Sequence, residues 1–351
     1  MRRPWPSFAP IALAGLCGLS LLALAGCGSS GVPNASAGSR LVVDSTVAPV
    51  TDIVRQVVGD RVTLTGLIPE GVDSHTFEPS PGTVKSLTKA RVLFMDGLHL
   101  EGSTLKQADA NMPHPVLHLA DPAGGRGPAD RGSEIVAMGD LTIAPADYAF
   151  DFTFPKEKGD PNPHLWMNPL FAKRWSEIVR DTMATRDPAN APYYRDNQSR
   201  FAAVVDRLDA AIAVAIDSVP TDQRKLLTYH DSFAYFSRRY GIPVIGAVQP
   251  SDFSEPSPKE IQALIDQVKA NHVPAIFGSE VFPSTVLQQV ASAAHAQYVD
   301  KIRDDELPGD PSAANHTYVG LMVDDVRTMT KALGGAPSAL DAVSTGKTWL
   351  P

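Results

Sequence analysis

Residues 61–90, RVTLTGLIPEGVDSHTFEPSPGTVKSLTKA, contain the pattern that decides the fold class. The segment 61–69 alternates and is rich in β-branched residues, which predicts a strand. Ser80 and Pro81 are typical of the N-cap and first residue of a helix, which we expect to continue through Ala90. His75 therefore lies on the connection after a strand, where open α/β sheets place their ligand sites. A histidine on a surface loop would give the same local pattern, so the rest of the chain must decide.

The same alternation of strand and helix recurs along the chain and predicts parallel sheets with helices on both faces. Segment 121–163 is rich in Gly, Pro and Asp, and we expect it to be mostly loop. The predicted strands are 41–46, 61–69, 91–95 and 115–119 in the first half, and 225–228, 243–248, 275–278 and 297–299 in the second.

A long helix is predicted between the two halves, over residues 189–219. Its apolar residues recur at helical spacing, from Phe201 and Leu208 to Ile212 and Ile216. A helix of about thirty residues exceeds the usual range, which indicates that it spans two lobes. The predicted fold is α/β, with an N-terminal lobe over 41–188 and a C-terminal lobe over 220–351, each containing a parallel sheet, joined by this helix.

The N-terminus predicts export and anchoring rather than structure. Residues 1–26 carry two arginines followed by an apolar run ending in small residues, as in a secretory signal peptide. The run ends Leu-Ala-Gly before Cys27, which resembles a bacterial lipobox and makes Cys27 the expected lipidation site. Residues 27–40, rich in Gly, Ser and Ala, are expected to form a flexible tether. The protein would then be extracytoplasmic and held at the cell membrane as a lipoprotein.

Composition restricts the chemistry of the exported chain. The sequence has two cysteines; one leaves with the signal peptide and the other is Cys27, so neither a disulfide nor a thiolate metal ligand is expected. Removal of the signal leaves 29 Lys and Arg against 39 Asp and Glu, a net charge of −10. This charge argues against a nucleic-acid partner.

Three histidines and one aspartate stand on connections next to predicted strands and helices. His164 lies in Asn-Pro-His before a predicted helix, where prolines restrict the backbone. His75 and His230 follow predicted strands, and Asp300 follows the strand 297–299. Three imidazoles and one carboxylate suit a tetrahedral Zn²⁺ site. Because the four residues are far apart in sequence and divided between the two halves, we expect a site between the lobes.

These motifs resemble those of the metal-binding subunits of bacterial zinc and manganese ABC importers, the cluster 9 (A-I) solute-binding proteins. The resemblance rests on Asp-Ser-His-Thr-Phe-Glu-Pro around His75, Asn-Pro-His-Leu-Trp-Met-Asn-Pro around His164 and Tyr-His-Asp-Ser-Phe around His230. Residues 317–322, Thr-Tyr-Val-Gly-Leu-Met, also match the family, but this segment contributes no metal ligand. The resemblance covers about 41–333. It implies two lobes bridged by a rigid helix and a monomer that delivers its metal to a permease and its ATPase.

The resemblance also implies roles for individual residues. His75, His164 and His230 match the three histidine ligands, and Asp300 matches the carboxylate, with Asp304, Asp305 and Glu280 as alternatives for that ligand. We expect Glu280 instead to orient an imidazole through its free N–H. Since manganese-binding members often have Glu at the third position, His230 favours Zn²⁺, with Mn²⁺ as the alternative. Many zinc members carry a His-rich loop that 121–160 lacks.

Two other functions fit parts of the sequence. Three histidines could hold a catalytic zinc with an open water position, as in a zinc hydrolase. No HExxH motif is present, and a fourth protein ligand would fill the open position. Some relatives are described as surface adhesins, although the sequence contains no adhesive motif. We therefore expect a metal-binding receptor and not an enzyme.

Overall fold

A computed structural model describes residues 40–119, 132–139, 162–249, 256–279 and 284–351. The chain from Arg40 to Pro351 forms one compact unit. No helix in the described ranges is long and apolar enough to cross a membrane. The predicted signal peptide, most of the predicted tether, Cys27 and Glu280 lie outside the described residues.

The first sheet has five parallel strands in the order β2-β1-β3-β5-β4. It is built by the alternation of strand and helix that the sequence predicts. Its strands are β1 (Val42–Ser45), β2 (Thr63–Gly66), β3 (Val92–Met95), β4 (Val116–Leu119) and β5 (Glu134–Ala137), and its helices are α1 (Ala48–Val58), α2 (Pro81–Leu87) and α3 (Gly102–Asn111).

Two of these elements are absent from the sequence prediction. Strand β5 lies in the segment expected to be mostly loop, and it inserts between β3 and β4. Its residues Ile135, Val136 and Ala137 are buried, so a short apolar run forms a central strand despite its Gly- and Pro-rich flanks. Helix α3 was missed because only two of its residues, Thr104 and Ala108, are buried, which leaves a weak apolar pattern.

Two helices connect the first sheet to the second: α4 (Pro169–Arg186) and α5 (Ala191–Asp217). Helix α5 is the long helix predicted over 189–219. It packs against both α1 and α4 and also against the last helix of the chain, which follows the second sheet. Buried residues such as Phe201 and Leu208 line the packed face. One helix therefore packs against helices of both halves of the chain.

The second sheet has four parallel strands in the order β7-β6-β8-β9. Each strand is followed by a helix, as the sequence predicts. The strands are β6 (Leu226–His230), β7 (Val244–Gln249), β8 (Ala275–Ser279) and β9 (Gln297–Ile302), and the helices are α6 (Ala234–Tyr240), α7 (Pro258–Asn271), α8 (Thr285–Ala294) and α9 (Tyr318–Ala332).

The start of α9 joins the two halves of the chain through buried hydrogen bonds. The backbone N–H of Tyr318 donates to Asp52 Oδ2 on α1 at 2.8 Å, and the Tyr318 hydroxyl donates to the Trp166 carbonyl at 2.6 Å. Thr317 caps the helix through Gly320 N. These bonds fix the segment containing His164 against both halves.

We expect the packed face of α5 to dominate its contribution to stability. Phe201 is fully buried, whereas Val214 is 59% exposed on the same helix. Phe201→Ala should lower the free energy of unfolding by about 3–5 kcal/mol, and Val214→Ala should change it by less than about 0.5 kcal/mol. Urea denaturation of the metal-free variants measures both values. Equal losses in the two variants would contradict this packing.

Candidate metal centre

His75 stands on a loop that is held at both ends by its own side chains. Asp73 Oδ1 accepts from the His75 backbone N–H at 2.9 Å, and Asp73 Oδ2 accepts from the Thr76 hydroxyl at 2.7 Å. Downstream, Ser80 Oγ accepts from Thr83 N and caps α2. The Asx turn and the cap restrict the backbone on either side of the imidazole.

His164 is held by a rigid segment that precedes α4. The short 3-10 helix Leu165–Met167 is buried, and Asn168 Oδ1 caps α4 by accepting from Leu170 N at 3.1 Å. The His164 imidazole packs edge-on against Trp166, with ring centroids 5.3 Å apart. Its side chain is 1% exposed, so its orientation is fixed by packing.

His230 is the last residue of β6, at the carboxyl edge of the second sheet. Its side chain is buried, and its backbone carbonyl accepts from the Thr228 hydroxyl at 2.7 Å. Parallel α/β sheets form ligand sites outside the carboxyl ends of their strands. The strand itself therefore delivers the imidazole to the site.

The three histidines converge on one point through their Nε2 atoms. His164 Nε2 lies 3.4 Å from His75 Nε2 and 3.1 Å from His230 Nε2. One ring nitrogen from each residue lies within 4.8 Å of the others, and this is a group that could hold a metal ion. Zn–N bonds of about 2.0–2.1 Å at tetrahedral angles separate neighbouring nitrogens by about 3.3 Å. The spacing of the imidazoles thus fits a bound tetrahedral cation.

The structure does not bring Asp300 into this group. Asp300 is exposed within β9, because the strand continues to Ile302 rather than ending at 299. The carboxylate that faces the histidines is Asp305, with Oδ1 3.9 Å from His164 Nε2. Asp305 Oδ1 is buried and has no hydrogen-bond partner within the described part of the chain. Because the strand continues three residues beyond its predicted end, Asp300 lies within β9 and not on the connection that follows it.

Two residues that the sequence prediction missed form hydrogen bonds with the groups at this centre. Ser74 Oγ donates a short hydrogen bond to Asp305 Oδ2, which leaves Oδ1 directed at His164. Asn162 Oδ1 accepts from His164 Nδ1 at 2.8 Å. Ser74 and Asn162 both lie within the sequence motifs around the histidines, and those motifs were the signal that could have identified them. Glu280, the expected orienting residue, lies outside the described ranges.

Burial lowers the pKa values of two of the imidazoles and raises that of the nearby carboxyl. Desolvation lowers the pKa of His75 to about 4, and repulsion from His230 acts in the same direction. The pKa of His164 lies well below its usual value for the same reason, with the other two imidazoles adding to the effect. Burial and the neighbouring Asp304 charge hold the pKa of Asp305 well above its usual range. Neutral imidazoles can bind a metal directly, whereas Asp305 must release any bound proton.

We expect the low pKa of His75 to affect folding with a definite sign. The unfolded residue binds a proton below about pH 6.5, whereas the folded residue resists until about pH 4. The stability that His75 contributes, about 3 kcal/mol, is therefore present above pH 6.5 and is lost as the pH falls toward 4. Asp44 and Asp52, whose pKa values burial raises to about 6, contribute in the opposite direction.

An NMR titration of the His75 ring separates these contributions. Metal-free folded protein should give a midpoint near pH 4, and urea-unfolded protein a midpoint near 6.5. His75→Gln identifies the resonance and should reduce the loss of stability between pH 6.5 and 4. A folded midpoint near 6.5 would show that the imidazole is not desolvated.

Comparison with known proteins identifies the family. Residues 43–332 match the family described as zinc-uptake complex component A, periplasmic. The chain is 28% identical over 310 residues to the zinc-binding protein TroA of Treponema pallidum, covering 86% of this chain and 92% of TroA. It is 25% identical over 302 residues to the manganese ABC transporter substrate-binding lipoprotein PsaA of Streptococcus anginosus, covering 83% and 90%.

A solved structure agrees with these matches. The periplasmic zinc-binding protein TroA from Treponema pallidum superposes with a TM-score of 0.68 at 25% identity, covering 84% of this chain and 99% of that structure. The matching family model covers most of the chain and includes all three converging histidines. The chain therefore belongs to the periplasmic zinc-uptake complex component A family.

Proposed function

We propose that the protein binds one Zn²⁺ ion at His75, His164, His230 and Asp305 and delivers it to an ABC importer. The observation that carries this proposal is the convergence of three imidazole Nε2 atoms, two of them on buried residues, with separations from His164 of 3.1 and 3.4 Å. The ion is the cargo of the protein, and its recipients are the importer's permease and ATPase. Relatives named for ABC transport support this role.

Zn²⁺ is the proposed cargo because the site offers three nitrogen donors and one oxygen donor. Zinc accepts four such ligands in a tetrahedron, while manganese prefers more oxygen donors and a higher coordination number. At a nitrogen-rich site the intrinsic order of affinities also places Zn²⁺ above Mn²⁺. Relatives are named for each metal, so Mn²⁺ is the alternative cargo.

A zinc hydrolase or an adhesin receives less support. Asp305 would fill the coordination position that a hydrolase needs for water. Among the described residues, the side chains around the three imidazoles orient ligands or pack the site. The family is one of metal-uptake components. We therefore propose a binding and delivery role without catalysis.

The proposed location is extracytoplasmic, with a lipid anchor at Cys27. Relatives described as lipoproteins support this assignment, as does the lipobox-like sequence before the cysteine. The permease then receives the ion from a protein held at the same membrane by the tether 27–40. The protein would work as a monomer, since the proposed site is formed within one chain.

The choice of carboxylate is tested by a matched pair of substitutions. Asp305→Asn removes the carboxyl group beside His164, which could become charged on metal binding, and should weaken Zn²⁺ binding at least about tenfold. Asp300→Asn, on the exposed face of β9, should leave the affinity within about twofold of the unmodified protein. Competition with a chelator of known affinity measures both. If Asp300→Asn weakened Zn²⁺ binding and Asp305→Asn did not, Asp300 would be the ligand instead.

The choice of metal is tested by direct titration of the stripped protein. Zn²⁺ should bind at one site at least about tenfold more tightly than Mn²⁺, a difference of about 1.4 kcal/mol. His230→Glu replaces a nitrogen donor with an oxygen donor and should narrow that difference. His164→Ala should weaken both metals. Equal or tighter Mn²⁺ binding by the unmodified protein would overturn the choice of zinc while leaving the site intact.

The anchor is tested by fractionation of cells producing the unmodified protein or Cys27→Ser. The substituted protein should leave the membrane fraction, because the acyl chains that hold a lipoprotein cannot be attached. Zn²⁺ affinity of the purified protein should stay unchanged, which separates anchoring from binding. Retention of Cys27→Ser in salt-washed membranes would exclude Cys27 as the anchor.

A further inference from the structure

The Asn162 side chain is a junction between His164 and the chain that follows His230. Its Oδ1 accepts from His164 Nδ1 at 2.8 Å and from the His164 backbone N–H at 2.9 Å. Its Nδ2 donates to the Asp231 carbonyl at 2.6 Å. Asn162 is 8% exposed, so these bonds form away from water.

The partners determine which way the Asn162 amide faces. A backbone N–H can only donate and a carbonyl can only accept, so the atom at His164 N must be Oδ1 and the atom at Asp231 O must be Nδ2. An amide oxygen facing His164 Nδ1 requires a proton on Nδ1. His164 Nε2 is then left with a lone pair, and it is the atom that faces His75 and His230.

We propose that Asn162 is a positioning residue that fixes the metal-binding tautomer of His164. It also couples the orientation of His164 to residues 230–235, here called the β6–α6 segment. A metal ligand needs the lone pair on the nitrogen that faces the ion, and the hydrogen bond at the other nitrogen selects that tautomer. This inference rests on the proposed metal-binding function. It assigns to Asn162 the orienting role that the sequence suggested for Glu280.

A second contact strengthens the coupling to the β6–α6 segment. The Tyr235 hydroxyl on α6 donates to the Asn162 backbone carbonyl at 2.8 Å, and it is buried. Asn162 is thus held through its side chain by the residue that follows His230 and through its backbone by Tyr235 on the next helix. A displacement of this segment would remove the acceptor at Asp231 and release the amide, so the lone pair of His164 would no longer be directed at the site. Orientation of one ligand therefore depends on the position of the segment that carries another.

The test begins with metal-free protein and does not depend on which metal is carried. Long-range ¹⁵N–¹H NMR of histidine-labelled protein distinguishes the two neutral tautomers of an imidazole. Metal-free unmodified protein should show His164 in a single form with the proton on Nδ1. A proton on Nε2 instead would overturn the proposal, whatever the variants do.

Three variants separate positioning from general stability. Asn162→Leu is similar in size but loses every polar contact; it should give a mixture of His164 tautomers and weaken Zn²⁺ binding about 10- to 100-fold. Asn162→Asp keeps an oxygen that accepts from His164 Nδ1 but loses the donor to the Asp231 carbonyl, so it should keep the proton on Nδ1 while losing that link to the chain after His230. Asn197→Leu removes a buried amide on α5 that bonds Val57 and Leu350 rather than the site, and it should leave both the tautomer and the affinity unchanged.

The outcomes also distinguish this inference from the proposed function. A folded Asn162→Leu protein that keeps the single tautomer or the full Zn²⁺ affinity would contradict the inference alone. If the unmodified protein binds neither Zn²⁺ nor Mn²⁺, the proposed function fails while the tautomer result still stands. If Asn162→Leu does not fold, the tautomer in the unmodified protein and in Asn162→Asp still decides the matter.

Discussion

The site depends on one constraint: the Nε2 atoms of three imidazoles lie close together, and they cannot all carry a proton. His75 and His230 approach His164 to 3.4 and 3.1 Å between Nε2 atoms. Three lone pairs at that spacing repel each other unless a proton or a cation lies between them. The surrounding structure holds the rings in place through the Asx turn at Asp73, the strand end at His230 and the bonds of Asn162. The arrangement is thus prepared for a cation before one arrives.

Burial sets the charge of this arrangement. Desolvation favours the neutral forms of His75 and His164 and the protonated form of Asp305. In the proposed site, a divalent cation would meet imidazole nitrogen donors and one carboxyl that can become charged as the ion binds. Ser74 donates a hydrogen bond to Asp305 Oδ2, which fixes the orientation of the carboxyl group. Because the imidazole rings and the Asp305 carboxyl are already oriented, the protein needs little rearrangement to bind an ion.

Much of the fold could be predicted because its signals are local. Alternating β-branched segments predicted most strands of the two sheets, and cap residues marked helix starts. Apolar residues at helical spacing predicted α5. Strand β5 and helix α3 were missed, since a short apolar run between glycines and a helix with two buried residues carry little periodicity. The order of strands in each sheet depends on contacts between distant segments, and no local pattern contains it.

The histidines could be predicted because each stands in a specific motif, and the structure brings all three together. The fourth position could not be fixed in the same way. The family resemblance and the predicted strand end at 299 both indicate Asp300, whereas the pairing of Ser279 with Ile302 extends β9 beyond it. The role of Asn162 depends on Asp231, far away in sequence, so it emerges only from the folded chain.

X-ray absorption at the zinc edge of the zinc-loaded protein tests the central claim most directly. Ligation by His75, His164, His230 and Asp305 predicts four nitrogen or oxygen neighbours near 2.0–2.1 Å, with the scattering pattern of three imidazoles. An ion surrounded by five or six oxygen ligands, or by fewer than three imidazoles, would contradict it.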